Sequence, residues 1–200
     1  MTRNRYFRTP GAIVNAEDEW RSDRSGRISP WDDLARRYAN EYDLDWRLVV
    51  AQMYQESRFD PDRVSWSGAR GLMQILPRTA RELGIADPAD PESSVHGGTK
   101  YMRWLIDRSD PKLPLATRMR FALASYNAGR GHVLDARRLA KRLGLSPDEW
   151  YGHVEKAILL LQRPEHYEQA RFGYCRGSEC VRYVREIDRR YRVYVKHVPG

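Results

Sequence analysis

Apolar side chains recur every three or four positions along most of the chain, and the breaks fall at proline, glycine and capping residues. Ser29-Pro30 opens the first such stretch, where Trp31, Leu34, Ala35, Tyr38 and Tyr42 form a core stripe in preference to a sugar-stacking face. A second helix runs from the N-cap candidate Asp45 to Ser57, with Leu48, Val49, Met53 and Gln52 on its inner face. Pro61 closes it, because the residue before a proline is pushed out of helical geometry. Pro77 begins a short helix to Leu83, stopped by Gly84. Asp90-Pro91 starts another, with Val95, Thr99, Met102, Leu105 and Ile106 inward. Gly97-Gly98 inside it cost up to ~2 kcal/mol against alanine, which predicts a close helix crossing there. Residues 114–126 carry Leu115, Met119, Ala122, Leu123 and Tyr126 at helical spacing and end at Asn127-Ala128-Gly129. Ser146-Pro147-Asp148-Glu149 reads as a capping box for a helix bearing Trp150, Val154, Ala157, Ile158 and Leu161. The last helix starts near Ser178, with Val181, Val184, Ile187 and Tyr191 inward and Tyr183 on a neighbouring stripe. Strands find room only in a small hairpin near 62–75, so the fold class is all-α.

Two hundred residues, 41% of them apolar, suffice for one domain with one core. Residues 1–29 are polar, arginine-rich and broken by Pro10-Gly11 and Ser25-Gly26, and read as a linker or the remnant of an upstream domain; residues 30–200 are the domain proper. The longest apolar run, Ala157 to Leu161, is far short of a membrane span, and no apolar core follows the N-terminal arginines as a signal peptide requires. A net charge of +8 predicts attraction for polyanions, whether nucleic acid, anionic lipid or acidic peptide, or simply a solvated basic surface. No nucleic-acid-binding motif accompanies it. Cys175 and Cys180 lack a second Cys or His pair at ligand spacing, so no metal is expected; a local disulfide and two free thiols both stay open. His96 reads as a surface or packing residue and Glu155 as solvated.

Candidate chemistry concentrates in residues 52–76. Glu56 falls in the last turn of its helix, where the negative end of the helix dipole disfavours a carboxylate. Apolar neighbours disfavour it further, and both effects raise a carboxyl pKa. A carboxylic acid still protonated near neutral pH is what glycosidic cleavage needs to protonate a leaving oxygen. After a polar loop, Gly71-Leu72-Met73-Gln74 offers a glycine for close backbone approach and an amide with donors and acceptors. Trp66 in that loop reads as a sugar platform, a lid residue or an exposed side chain without a role.

Glu56-Ser57 followed by Asp60-Pro61, Ser65 nine residues after the acid, Gly-Leu-Met-Gln at 71–74 and Ser-Tyr-Asn-Ala-Gly at 125–129 resemble, in order, the lytic transglycosylase family with its goose-type-lysozyme-like domain. Gly-Gly before Tyr101, the run at 131–137 and Phe172-Gly-Tyr-Cys-Arg-Gly-Ser-Glu extend the likeness over roughly 30 to 195. The resemblance implies a lysozyme-like multi-helix domain with a substrate cleft, acting on the glycan strands of peptidoglycan in the periplasm. Outer-membrane association and an upstream regulatory domain would belong to a longer protein. It implies Glu56 as single acid/base, Ser65, Gln74, Tyr126, Asn127 and Tyr183 as substrate-binding residues, and no cofactor. The product would carry a 1,6-anhydromuramoyl end. The rival readings are a hydrolytic muramidase, which usually calls on a second carboxylate, with Asp60 and Asp62 as the acids near in sequence, and a non-catalytic murein-binding module. A basic nucleic-acid binder is the third.

Overall fold

The computed structural model describes residues 27–199, so the linker expected over residues 1–29 lies, as far as residue 26, outside the described residues. The helices are α1 (Asp32–Glu41), α2 (Trp46–Ser57), α3 (Pro77–Leu83), α4 (Pro91–Asp107), α5 (Leu115–Ala128), α6 (Arg130–Arg142), α7 (Glu155–Leu160), α8 (Pro164–Tyr167) and α9 (Gly177–His197). The domain is all-α, and among the described residues no strand forms. Where a hairpin was expected, two isolated bridges join Val64 to Arg70 and Arg70 to Ile75. The segment is too tightly turned for a ladder: Gly71 at φ 74° and Gln74 at φ 47° break it after each short pairing.

Helix α2 sits at the centre, with Leu48, Val49, Val50, Ala51 and Met53 all in the core. Its start is capped as the sequence predicts, Asp45 accepting from the Arg47 backbone N–H. Asp45 also holds the Arg47 guanidinium at 2.6 Å and accepts from the Tyr191 hydroxyl at 3.0 Å, tying α2 to α9. Helix α9 packs along both α2 and α5 through Cys180, Val184 and Ile187. This antiparallel embrace sets the C-terminal helix over the end of α2, where the sequence placed Glu56.

Four local expectations change. Gly97 and Gly98 do not mark a helix crossing. A Cβ on Gly97 would meet the Ile85 side chain at 2.1 Å and one on Gly98 would meet Met73 at 2.6 Å, so side chains of the preceding loops fill the space. The capping box at 146–149 does not open a helix. Tyr151 and Gly152 leave helical geometry, and α7 begins at Glu155. Glu155 itself is 6% exposed rather than solvated: it accepts from the Gly152 N–H at 2.9 Å and pairs with Arg185 of α9 at 3.0 Å. That buried carboxylate, not Ser146, satisfies the turn ahead of α7. Helix α6 is an addition to the predicted set. Its inward stripe of Val133, Ala136, Leu139 and Ala140 is small, and Gly129 at φ 90° lets it follow α5 without a loop.

Candidate active site

Glu56 stands in the last turn of α2, and the chain leaves that helix through two consecutive left-handed residues, Arg58 at φ 56° and Phe59 at φ 67°. Such backbone costs free energy in side-chain-bearing residues and persists only where the surroundings hold it. Here the Trp31 indole N–H donates to the Phe59 carbonyl at 3.1 Å, and the Phe59 ring packs edge-on against Tyr54. The sharp exit leaves Glu56 on the rim of the core, half-buried, rather than out on a solvated helix end.

Its carboxyl meets the C-terminal helix. Tyr183 donates its hydroxyl to Glu56 Oε1 at 2.5 Å, and Gln52, one turn earlier on α2, donates its amide N–H to the Tyr183 oxygen at 3.2 Å. Burial lifts the Glu56 pKa from its ordinary value near 4.5 to about 8. The Tyr183 hydrogen bond and the positive Arg63 pull the other way, while the negative Glu179 adds to the rise. The net result is a carboxylic acid that keeps its proton at neutral pH. Tyr183 is buried, and its phenol is held well above its usual range by burial and by Glu56.

The remaining predicted residues divide by location. Tyr126 is close enough for Glu56 to raise its pKa further, but its hydroxyl donates to the Met73 carbonyl at 2.8 Å, bolting α5 to the Gly-Leu-Met-Gln segment rather than pointing free into a cleft. Asn127 is exposed and lines an open pocket of about 380 Å³ with Ala128, His132, Tyr174, Cys175, Arg176 and Glu179. Glu56 does not line this pocket, but Glu179, which does, lies near enough for its charge to add to the rise of the Glu56 pKa. Gln74 uses its amide nitrogen on the Arg63 and Gly71 carbonyls, at 2.9 and 3.0 Å. Ser65 accepts from the Ala69 N–H and shares a hydrogen bond with Ser67, both at 2.9 Å, so it closes a tight turn. Trp66, at the tip of that turn, is 86% exposed.

Three contributors were not singled out by sequence reasoning. Gln52 is 1% exposed within an apolar stripe, and its spacing of four from Glu56 was the available signal. His132 stands five residues after Asn127 and Glu179 fifty-two, both in runs that carry the family likeness, and the fold brings Glu179 to Asn127. Among the described residues no group of three or more His, Cys, Asp or Glu is placed to hold a metal ion, and no helix is long and apolar enough to cross a membrane.

The chain is similar to known proteins over most of its length. The family model described as the transglycosylase SLT domain matches residues 33–147. Membrane-bound lytic murein transglycosylase F of Shewanella loihica is 45% identical over 169 residues, covering 84% of this chain and 35% of the relative. The protein of the same name from Vibrio vulnificus is 41% identical over 172 residues, covering 86% and 32%. The chain thus spans about a third of the length of the curated relatives it matches. The crystal structure of the 70 kDa soluble lytic transglycosylase from Escherichia coli superposes with a TM-score of 0.57 at 24% identity, covering 82% of this chain and 24% of that one.

Proposed function

The chain belongs to the transglycosylase SLT family, and from that premise we propose that it is a peptidoglycan lytic transglycosylase with Glu56 as its single acid/base. The observation that carries the reading is a half-buried carboxyl at a helix end, gripped on one oxygen by Tyr183 and protonated near neutrality. Protonated Glu56 gives its proton to the oxygen joining N-acetylmuramic acid to N-acetylglucosamine as the muramoyl C1–O bond breaks. The N-acetylglucosamine leaves with that proton as its hydroxyl, and the muramoyl N-acetyl group stabilises the cationic C1. The carboxylate then takes the proton of the muramoyl 6-hydroxyl while its oxygen bonds to C1. A 1,6-anhydro ring results, and the acid is restored.

Asn127, on the pocket that Glu179 also lines, is the residue best placed to hold a sugar amide or hydroxyl. Tyr183 orients the acid. Tyr126, Gln74 and Ser65 serve the site by keeping its walls in place, each through the loop contacts that its polar group already makes. Residues 30–200 form the catalytic domain in this reading, and the stretch before them leads to an upstream regulatory domain in a longer, periplasmic protein. Outer-membrane association would come from that longer protein. The glycan strand of peptidoglycan is the partner.

Glu179 is the acid a hydrolytic muramidase would call on, but ring closure draws its nucleophile from the substrate and has effective molarity that can reach ~10⁵ M. A wall-binding module without catalysis and a nucleic-acid binder leave the held, protonated Glu56 without a use. Mass spectrometry of digested murein tests the proposal. Anhydromuramoyl ends should dominate, and strands acetylated on the muramoyl 6-oxygen should resist. Reducing muramic acid as the main product would instead establish hydrolysis.

A further inference from the structure

Gln52 and Glu56 stand one turn apart on α2 and engage the same phenol. Gln52 lies among Leu48, Val49 and Met53 at 1% exposure, a site where an apolar side chain would pack without a polar group to satisfy. A buried amide is retained at such a position at a cost unless its hydrogen bond is used. The Gln52 bond is directed at a group that touches the acid. A phenol has one proton to give and an oxygen that accepts. With the Gln52 N–H on that oxygen, the phenol proton is directed to Glu56 Oε1.

We propose that Gln52 is a positioning residue for the reaction: by donating to Tyr183 it commits the phenol proton to Glu56 Oε1, so that the catalytic proton of Glu56 stands on Oε2. This rests on Glu56 being the acid/base. Without Gln52 the phenol can turn and accept, and protonated Glu56 can then lodge its proton on Oε1, in a closed bond to Tyr183 where no substrate oxygen reaches it. With Gln52, the proton delivered to the leaving oxygen comes from Oε2, and the carboxylate left behind is still steadied on Oε1 by Tyr183. The proton of the muramoyl hydroxyl returns to Oε2. The other groups that face Glu56 are Tyr183 and Glu179 from α9, Tyr126 from α5 and Arg63 from the loop after α2. Changing Gln52 leaves Glu179, Tyr126 and Arg63 as they are and acts through the Tyr183 hydroxyl alone, which isolates its effect.

The test is Gln52→Met, close in shape but without the donor, assayed on purified murein with release of anhydromuropeptides across pH. Its kcat should fall about tenfold, a fraction of the ~10²–10⁴ that a placed acid contributes, while KM stays within about twofold. The alkaline limb of kcat/KM should also move. Activity is lost as pH rises through the Glu56 pKa, and a phenol freed to accept favours protonated Glu56, so the limb shifts to higher pH. Damage to packing alone gives no such shift, and Gln52→Leu, with a different shape, should give the same one. In a Tyr183→Phe background, Gln52→Met should add nothing further. Gln52→Met with unchanged kcat and an unmoved limb overturns the inference, as does an equal loss with and without the Tyr183 hydroxyl. Wild-type protein that releases no anhydro product overturns the functional reading as well, whereas anhydro product with an unshifted Gln52→Met overturns only the role of Gln52.

Discussion

At the scale of single residues, Glu56 carries opposing demands. Burial favours its neutral form, and the Tyr183 hydroxyl favours its ionised form, with burial the larger effect. A carboxyl whose folded pKa is raised binds more protons folded than unfolded between the two pKa values, so stability falls as pH climbs through that window. Here the window runs from near 4.5 to about 8. Glu56→Gln removes the titration and keeps the shape. Murein cleavage should drop by ~10²-fold or more, the scale of a lost general acid. Thermal unfolding should show the variant gaining on wild type as pH rises from 4.5 to 8, by at most ~1.4 kcal/mol per pH unit. Cleavage within a few-fold of wild type would remove Glu56 from the mechanism, and a pH-independent stability difference would remove the burial account of its pKa.

At the scale of elements, the exit from α2 decides where Glu56 points. Arg58 occupies the left-handed position that glycine usually takes after a helix. Its side chain costs ~1–2 kcal/mol there, and glycine returns part of that gain through its greater freedom when unfolded. Arg58→Gly is therefore expected to stabilise the domain by about 0.5–1 kcal/mol in denaturant unfolding. The Gly-Leu-Met-Gln segment depends on a different contact. Gly98 of α4 receives Met73, whose carbonyl holds Tyr126, so a methyl at Gly98 pushes on the wall beside Glu56. Gly98→Ala should destabilise by ~1–3 kcal/mol, as overpacking does, and should lower kcat, whereas a neutral result would show that Met73 can move aside.

At the scale of the whole molecule, α9 is the element that ties early and late helices together. It reaches α2 through Tyr191 and Asp45, α7 through Arg185 and Glu155, and the acid through Tyr183. Cys175 and Cys180 lie at its start, both buried and free. The Cys180 thiol donates to the Ala124 carbonyl at 3.6 Å, and burial pushes Cys175 up to about 11 and Cys180 higher still. Thiolate is scarce in such surroundings, so alkylation of the native protein without reductant should be slow at both sites, and in denaturant both should label fully. Failure to label in denaturant would reveal a bridge. Rapid native labelling would mean that the start of α9 opens readily.

The sequence alone was enough for the local features that put Glu56 at a helix end. The apolar stripe of α2, its Asp45 cap and its end before Pro61 placed Glu56 in a final turn because helix periodicity and capping act within a few residues. The all-α class followed from the same short-range signals repeated along the chain. What they could not decide is which polar groups meet across about 30 to 130 positions. Gln52 looked like one more inward position until Tyr183 arrived from α9 to accept its N–H. Glu155 looked solvated because Arg185 is thirty residues away. The hairpin near 62–75 gave way for a local reason instead, a turn held by the Ser65 and Gln74 side chains. Burial is a property of the assembled core, and a carboxyl's pKa follows its burial. The proton on Glu56 at neutral pH is accordingly an outcome of tertiary structure, prepared by a helix end but produced by what packs against it.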